Sequence, residues 1–243
     1  MIPKVIHYIW LGNKPKNKLS EACILSWKLL HPDFEIIEWN EKNLDIEKIA
    51  KENKFFNECK KRKLWAFMAD YLRVKILYEN GGIYIDTDVQ AIKNITPLLD
   101  KDILLSYEYD GNNIGTGTIG ATKKNEFMKK ILDFYDNEIM DSKLYIIPDI
   151  FKFVLNNYDK KINILPMEVL APYNFSKQFE SSVITNNTYT IHWFDSTWTE
   201  NKQVSLFLQT KHIKNPVKKF VLKTKKLIGY YKRKIKRIKI NKK

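Results

Sequence analysis

One short segment near the middle of the chain constrains the fold more than any other. A glycine pair, Gly81 and Gly82, follows a helical pattern and leads into the apolar run 83–85, after which come Asp86 and Asp88. Glycines interrupt a helix, and the apolar run predicts a short buried strand. Side chains two residues apart in a strand point to the same side, so the two carboxylates can face one point where the strand ends. Carboxylate oxygens are the ligands that Mg²⁺ prefers, often with substrate phosphates.

The Asp-x-Asp spacing is weak when taken by itself, because short motifs of this kind occur by chance. The alternative interpretation is a pair of surface aspartates in a turn. A second instance, Asp100 and Asp102, has a lysine between its acids and precedes an apolar run instead of following one. That instance is typical of a solvated turn, and the context of Asp86 and Asp88 is what favours a site.

Strand and helix patterns alternate over the first 200 residues, which predicts an α/β fold with three layers, α/β/α, and a mostly parallel mixed sheet. A glycine-spotted stretch, 111–120, is predicted to be a loop. The predicted strands are 5–10, 34–39, 83–85, 103–107, 162–165 and 188–193. The predicted helices are 18–30, 44–52, 63–79, 125–139 and 149–156.

The charge of the chain is concentrated at its C-terminus. The net charge is +14, but residues 201–243 hold 16 Lys and Arg and no acidic residue, so residues 1–200 are close to neutral. We therefore predict a globular body over 1–200 and a basic tail over 201–243. Apolar residues recur every three or four positions after Asn215 and Pro216, a pattern typical of an amphipathic helix on an anionic membrane surface. A helix packed on the body, a disordered end or a nucleic-acid arm would also fit.

The remaining composition indicates an ordinary intracellular protein. Two cysteines, Cys23 and Cys59, lack a metal-binding spacing and are expected to be buried free thiols. We see neither a secretory leader nor an apolar run of membrane-spanning length. The expected location is the cytoplasm, with residues 211–243 of the tail holding the protein at the inner face of the membrane.

Three further groups of residues carry possible chemistry. Asp70 and Arg73 share a helix face directly before the glycine pair; they form either a surface ion pair or a grip on sugar hydroxyls and phosphate. Trp10 ends the first strand, where an α/β sheet binds ligands, and its ring could stack on a base. The late segment 192–198 combines a histidine, an acid, hydroxyls and aromatics, and could close over a nucleotide. His7, also on the first strand, is interpreted as a core residue.

Taken in order, the segments 2–12, 70–73 with 78–88, and 192–198 resemble glycosyltransferase family 32, whose members contain a DXD motif. The resemblance covers about residues 1–200 and leaves out the tail. It implies a GT-A fold, a nucleotide-sugar donor, Mn²⁺ or Mg²⁺, and transfer with retention at the anomeric carbon. Uridine carriers are expected more than guanosine carriers.

The resemblance also assigns roles to individual positions. It implies that Asp86 and Asp88 are the DXD pair that binds the metal, and that His192 is a third ligand. The last segment departs from the family pattern, since Trp193 replaces a second histidine, and either Ser196 or Thr197 could supply the hydroxyl. The implied donor-binding residues are Ile9, Trp10, Asp70, Arg73, Tyr84, Ser196 and Trp198. The implied catalytic residues are Asp86, Asp88 and Arg73.

The sequence therefore predicts a metal-dependent, retaining glycosyltransferase that acts on a saccharide or lipid-linked saccharide in surface polysaccharide synthesis, such as capsule or lipopolysaccharide. No enzymic nucleophile is evident, which favours front-face substitution. One alternative is a non-catalytic protein that binds carbohydrate or, through its tail, nucleic acid, although no nucleic-acid partner is expected. Another is a metal-dependent phosphohydrolase, which would require more converging ligands than this chain offers.

Overall fold

The computed structural model describes residues 1–109, 111–195 and 204–240. The chain opens with a βαβ unit, as the sequence predicts: β1 (Val5–Ile9), α1 (Lys18–Leu30) and β2 (Glu35–Trp39). Asn17 caps α1, its side chain accepting the backbone N–H of Ser20 at 2.8 Å. Because β1 and β2 pair in parallel, their carboxyl ends meet at one edge of the sheet.

Three further strands, β3 (Gly82–Ile85), β5 (Ile103–Glu108) and β6 (Asn113–Ala121), join β1 and β2 in the central sheet. The order of its five strands is β2-β1-β3-β6-β5. The pairings of β1 with β2 and β3 are parallel, whereas β6 is antiparallel to both of its neighbours. A small two-stranded sheet joins β4 (Val89–Ala91) to β7 (Thr190–His192). Four of the five central strands thus run in one direction, which confirms the predicted mostly parallel mixed sheet.

Helices cover both faces of this sheet and complete three layers. One core contains Phe56, Leu72 and Phe151 from helices on one face, and the other contains Trp27 of α1 on the opposite face. Consecutive residues of β3 alternate between the two, since Tyr84 joins the first core and Ile83 joins the second. The helices after α1 are α2 (Ile46–Glu52), α3 (Lys54–Lys61), α4 (Trp65–Asn80), α5 (Glu126–Asp133), α6 (Ile147–Asn156), α7 (Met167–Leu170) and α8 (Pro216–Ile240).

The main error of the sequence prediction lies at 111–120, where the structure has the inner strand β6 instead of a loop. The glycines of β6 are required because other segments of the same chain approach the strand closely, and not because the backbone turns there. A Cβ on Gly120 would lie 3.0 Å from Leu104 Cβ, and one on Gly115 would lie 3.2 Å from the Ser106 carbonyl oxygen. The predicted strand at 162–165 is also wrong, because it is reduced to one isolated bridge between Leu165 and Ser106.

The segment that precedes the last helix packs against the body. Phe207 and Leu208 are buried in the first core, and the buried Lys211 ammonium donates to the carbonyls of Ile139, Ser142 and Leu144. Helix α8 then begins as predicted. None of the helices in the described ranges combines the length and apolar character needed to cross a membrane.

Candidate metal and sugar-nucleotide site

The glycine pair shapes the entry into β3. Gly81 and Gly82 both have left-handed backbones, with φ of 71° and 98°. A Cβ on Gly82 would lie 2.7 Å from the Val5 carbonyl oxygen and 2.9 Å from His7 Nε2, so no larger residue fits. His7 is buried, contacts the Gly81 carbonyl oxygen at 2.9 Å and accepts from Trp39 Nε1, as expected for a core residue. The turn at Gly81 and Gly82 thus fixes where β3 starts and, as a result, where Asp86 and Asp88 lie at its end.

Asp86 is held from three sides at the end of β3. The Tyr84 hydroxyl donates to Asp86 Oδ1 at 2.7 Å, and Arg73 Nη1 donates to Oδ2 at 3.1 Å. Its backbone N–H donates to the Gly117 carbonyl at 2.8 Å. The carboxylate is therefore fixed by its neighbours before any ligand arrives.

Asp70 and Arg73 do not form a surface ion pair, since both side chains are buried on α4. Arg73 Nη2 donates to Asp70 Oδ1 at 2.9 Å, Nη1 donates to the Thr116 carbonyl at 2.7 Å, and the guanidinium lies 4.5 Å from the Tyr84 ring centroid. Burial raises the pKa of Asp70 to about 7, although Arg73 opposes this shift. Burial also disfavours the charged guanidinium, but the carboxylates, Asp86 first, outweigh it and hold the pKa of Arg73 above its usual value.

The small β4–β7 sheet brings His192 to Asp88. Val89 pairs with His192, which places His192 Nε2 3.4 Å from Asp88 Oδ1, while the Asp195 backbone N–H donates to Oδ2 at 2.8 Å. Burial lowers the pKa of His192, but the hydrogen bond and charge of Asp88 outweigh burial and raise it overall. The same contact holds the pKa of Asp88 below its ordinary value despite burial.

The donor set of the site suits a hard or borderline divalent cation. One ligand atom from each of Asp86, Asp88 and His192 lies within 4.8 Å of the other two. Two carboxylates and an imidazole are ligands that Mn²⁺ accepts, and the carboxylates alone suit Mg²⁺. Gly117 makes room for the imidazole, since a Cβ there would lie 2.9 Å from His192 Nδ1. The residues present therefore fit the predicted cation.

An open cleft of about 750 Å³ borders these ligands. It brings together the predicted residues that the structure describes, which are Ile9, Trp10, Asp70, Arg73, Tyr84, Asp86, Asp88 and His192. Trp10 lies on the wall formed by the end of β1, where its indole Nε1 donates to the Lys14 carbonyl at 2.6 Å. The predicted residues Ser196 and Trp198, with Thr197 between them, lie outside the described residues.

Several cleft residues escaped the sequence analysis. Glu108 ends β5, is only 3% exposed, and has its pKa raised to about 7 by burial. Tyr109 was also missed; it lines the same side against Phe194 of the predicted 192–198 segment, with their ring centroids 5.1 Å apart and both backbones left-handed. A usable clue for Glu108 was its place after a predicted strand, since the carboxyl ends of strands border ligand sites in such sheets.

The sequence is similar to known glycosyltransferases. Residues 18–105 match the family described as "Glycosyltransferase sugar-binding region containing DXD motif", which confirms the predicted resemblance to a DXD-containing glycosyltransferase family. The chain is 30% identical over 135 residues to inositol phosphoceramide mannosyltransferase 3 of Schizosaccharomyces pombe, covering 54% of this chain and 36% of that protein. It is 24% identical over 233 residues to an uncharacterized glycosyltransferase of Acanthamoeba polyphaga mimivirus, covering 88% of this chain and 90% of that protein.

The fold has a counterpart among solved structures. The PaToxG glycosyltransferase superimposes with a TM-score of 0.52 at 19% identity, covering 64% of this chain and 68% of that one. The architecture is therefore GT-A-like, as predicted. The chain spans about a third of the length of the fission yeast relative, 36%.

Proposed function

We propose that this protein is a metal-dependent glycosyltransferase that moves a sugar from a nucleotide-sugar donor to a saccharide acceptor. The observation that carries the proposal is the convergence of Asp86, Asp88 and His192 at the end of a strand, beside the cleft that contains Trp10. The match of residues 18–105 to the DXD-containing sugar-binding family supports the same chemistry.

Each cleft residue takes the role that the resemblance implies for its position beside the metal ligands. Trp10 stacks on the nucleotide base, and Asp70 hydrogen-bonds donor hydroxyls from the cleft wall. Arg73 and Tyr84 hold the Asp86 carboxylate in place, and Arg73 adds a fixed positive charge near the diphosphate. A divalent cation held by Asp86, Asp88 and His192 would supply neutralisation of the charge that develops on the leaving diphosphate.

Retention at the anomeric carbon is part of the proposal, with the acceptor approaching on the face that the diphosphate leaves. Front-face substitution needs no covalent intermediate. Glu108 is a buried carboxylate of the cleft, and it is the residue on which such an intermediate would be sought. Trapping a glycosyl adduct on Glu108 would refute front-face substitution.

The test is to incubate the full chain with Mn²⁺ and a panel of nucleotide sugars, uridine carriers first and guanosine carriers second, and to follow nucleoside diphosphate release. Asp88→Asn should abolish release, whereas Asp102→Asn, in the second and exposed Asp-x-Asp, is the matched control and should leave it unchanged. Binding of a sugar or nucleic acid without turnover by the wild-type protein would favour the non-catalytic alternative. Release of inorganic phosphate would favour a phosphohydrolase.

For the acceptor, we propose a lipid-linked saccharide reached at an anionic membrane surface, with the protein on its cytoplasmic face and surface polysaccharide as the product class. Helix α8 supports this proposal, because its apolar side chains are open to solvent: Val217 is 70% exposed and Phe220 is 72% exposed. Lysines surround them, and each basic residue near an anionic surface contributes about 1 kcal/mol of attraction. A relative named for the mannosylation of a phosphoceramide is consistent with a lipid acceptor.

Vesicle sedimentation tests the membrane proposal. Val217→Ser with Phe220→Ser should release the protein from anionic vesicles, while turnover on a soluble acceptor persists. Leu29→Ser, at another exposed apolar residue on α1, is the matched control and should sediment like the wild-type protein. Equal sedimentation of all three proteins would overturn the proposed membrane contact.

A further inference from the structure

We infer that Glu108 is a positioning residue, which orients the His192 imidazole so that Nε2 faces the metal site. The inference rests on the proposed metal-dependent function and adds a residue outside the Asp86, Asp88 and His192 ligand set. Glu108 ends β5, on the opposite side of His192 from Asp88.

The geometry around the imidazole is asymmetric. His192 Nε2 faces Asp88 Oδ1 at 3.4 Å, whereas Nδ1 faces Glu108 Oε2 at 3.9 Å. Within the described part of the chain, Nδ1 is buried and has no hydrogen-bond partner. A buried polar atom without a partner is costly, so a partner within short reach is expected to be used in one state of the protein.

The tautomer of the imidazole determines when His192 Nδ1 needs a hydrogen-bond acceptor. A neutral ring carries one proton, and the nitrogen that binds a metal must be the one without it. If Nε2 binds the metal, the proton lies on Nδ1 and needs an acceptor. A hydrogen bond from Nδ1 to Glu108 requires a ring or carboxylate shift of only about 1 Å. Carboxylate acceptors of this kind fix the ring and raise the basicity of the metal-binding nitrogen.

Strand β6 leaves room for the imidazole because it presents a glycine to it. A Cβ on Gly117 would lie 2.9 Å from His192 Nδ1. Phe194 stacks on the His192 ring, with centroids 3.9 Å apart and planes 29° apart. The ring is therefore confined to a slot, with Asp88 at one edge and Glu108 at the other.

The competing role for Glu108 is direct contact with the sugar, because its side chain also borders the cleft. The two roles differ in what removal of the carboxylate changes. A positioning residue acts on metal affinity through His192. A residue that contacts the sugar acts on turnover at saturating metal and leaves metal affinity unchanged.

The experiment titrates the 243-residue chain with Mn²⁺ and follows free Mn²⁺ by electron paramagnetic resonance. Glu108→Ala should weaken Mn²⁺ binding about 10- to 100-fold. Glu108→Gln keeps an acceptor oxygen and should retain most of the affinity. Glu126→Ala, at an exposed carboxylate on α5, is the matched control and should bind like the wild-type protein.

A second arm asks whether Glu108 acts through the histidine. In a His192→Ala background, Glu108→Ala should cause no additional loss of Mn²⁺ affinity, because the group it orients is gone. Equal losses in both backgrounds, or wild-type affinity in Glu108→Ala, would overturn the inference. So would a glutamine variant that binds no better than the alanine variant while its thermal unfolding is unchanged.

The kinetic readout separates this inference from the proposed function. Transfer by Glu108→Ala should recover as Mn²⁺ is raised to saturation; a persistent loss with normal Mn²⁺ affinity would assign Glu108 to the sugar instead. If the wild-type protein binds Mn²⁺ but transfers no sugar, the proposed function fails and the positioning role stands. If it transfers sugar without binding Mn²⁺, the positioning role fails and glycosyl transfer stands.

Discussion

Replacing Gly117 with alanine tests whether β6 is shaped around the metal-binding histidine. The new Cβ would lie 2.9 Å from His192 Nδ1, 3.0 Å from its Cε1 and 3.3 Å from Val89 Cγ2. The backbone of Gly117 is not left-handed, so alanine can adopt it without torsional strain. In an open position this exchange would even stabilise the protein, by about 0.4–1 kcal/mol, through the entropy of the unfolded chain.

The clash between the new Cβ and His192 decides whether Gly117→Ala stabilises or destabilises the protein. Forcing an extra carbon into a packed interior costs about 1–3 kcal/mol. Set against the entropic gain, the expected net destabilisation is about 1–2 kcal/mol. When His192 is alanine, the two closest contacts disappear and the next is Val89 Cγ2 at 3.3 Å, so Gly117→Ala should then be nearly neutral. The two substitutions are thus expected to be coupled by about 1 kcal/mol or more.

Urea unfolding, followed by far-ultraviolet circular dichroism, measures the free energy of unfolding of both single variants and the double variant. A Mn²⁺ titration should show that Gly117→Ala weakens binding, because the imidazole leaves its slot. Gly111→Ala meets no atom within 4 Å but forces alanine into a left-handed backbone with φ of 81°, so it is the control for lost stability without a clash at the histidine and should keep Mn²⁺ affinity. Equal destabilisation with and without the histidine, or unchanged Mn²⁺ binding, would refute the reasoning.

Three further predictions concern the buried charges and the cleft wall. Arg73→Met should lower the free energy of unfolding in urea by about 3–5 kcal/mol, because it leaves two carboxylates without their counter-charge. The pKa of Asp70 is raised to about 7 from 3.8, so its contribution to stability is complete below pH 4 and is lost as the pH rises through 7. Asp70→Asn should remove this part of the pH dependence of the free energy of unfolding, measured in urea from pH 4 to 8. An unchanged pH dependence would contradict the assignment. Trp10→Ala should raise the donor KM about 10-fold, as loss of a base-stacking ring predicts, with little change in kcat; an unaltered KM would remove Trp10 from the base site.

Much of the fold was predictable because its signals are local. The stripe of α1 and the apolar strands of the βαβ unit each follow from neighbouring residues, and the structure confirms them. The same holds for Asp86 and Asp88, whose common direction is a property of any strand. The pattern of α8 predicted its start equally well, because Asn215 accepts the Lys218 N–H and Pro216 fits the first turn.

The sequence prediction failed where the choice of residue depends on a neighbour that is distant along the chain. The glycines of β6 resemble loop residues in sequence, but each marks a place where another chain segment or side chain comes close. Strand β4 is three residues long and exists through its partner β7, which lies about a hundred residues further on. Glu108 sits in an ordinary strand pattern, and its position beside His192 depends on two separate sheets.

By itself, then, the sequence determined the alternation of strands and helices, the acidic end of β3 and the basic amphipathic end of the chain. Periodicity, capping and glycine placement act over a few residues and leave their mark in the order of the amino acids. Only the tertiary structure decided that Arg73 is buried between two carboxylates, that β6 opens a slot, and that Glu108 faces His192. Those contacts join segments far apart along the chain, and their distances are set by packing, which no local pattern encodes.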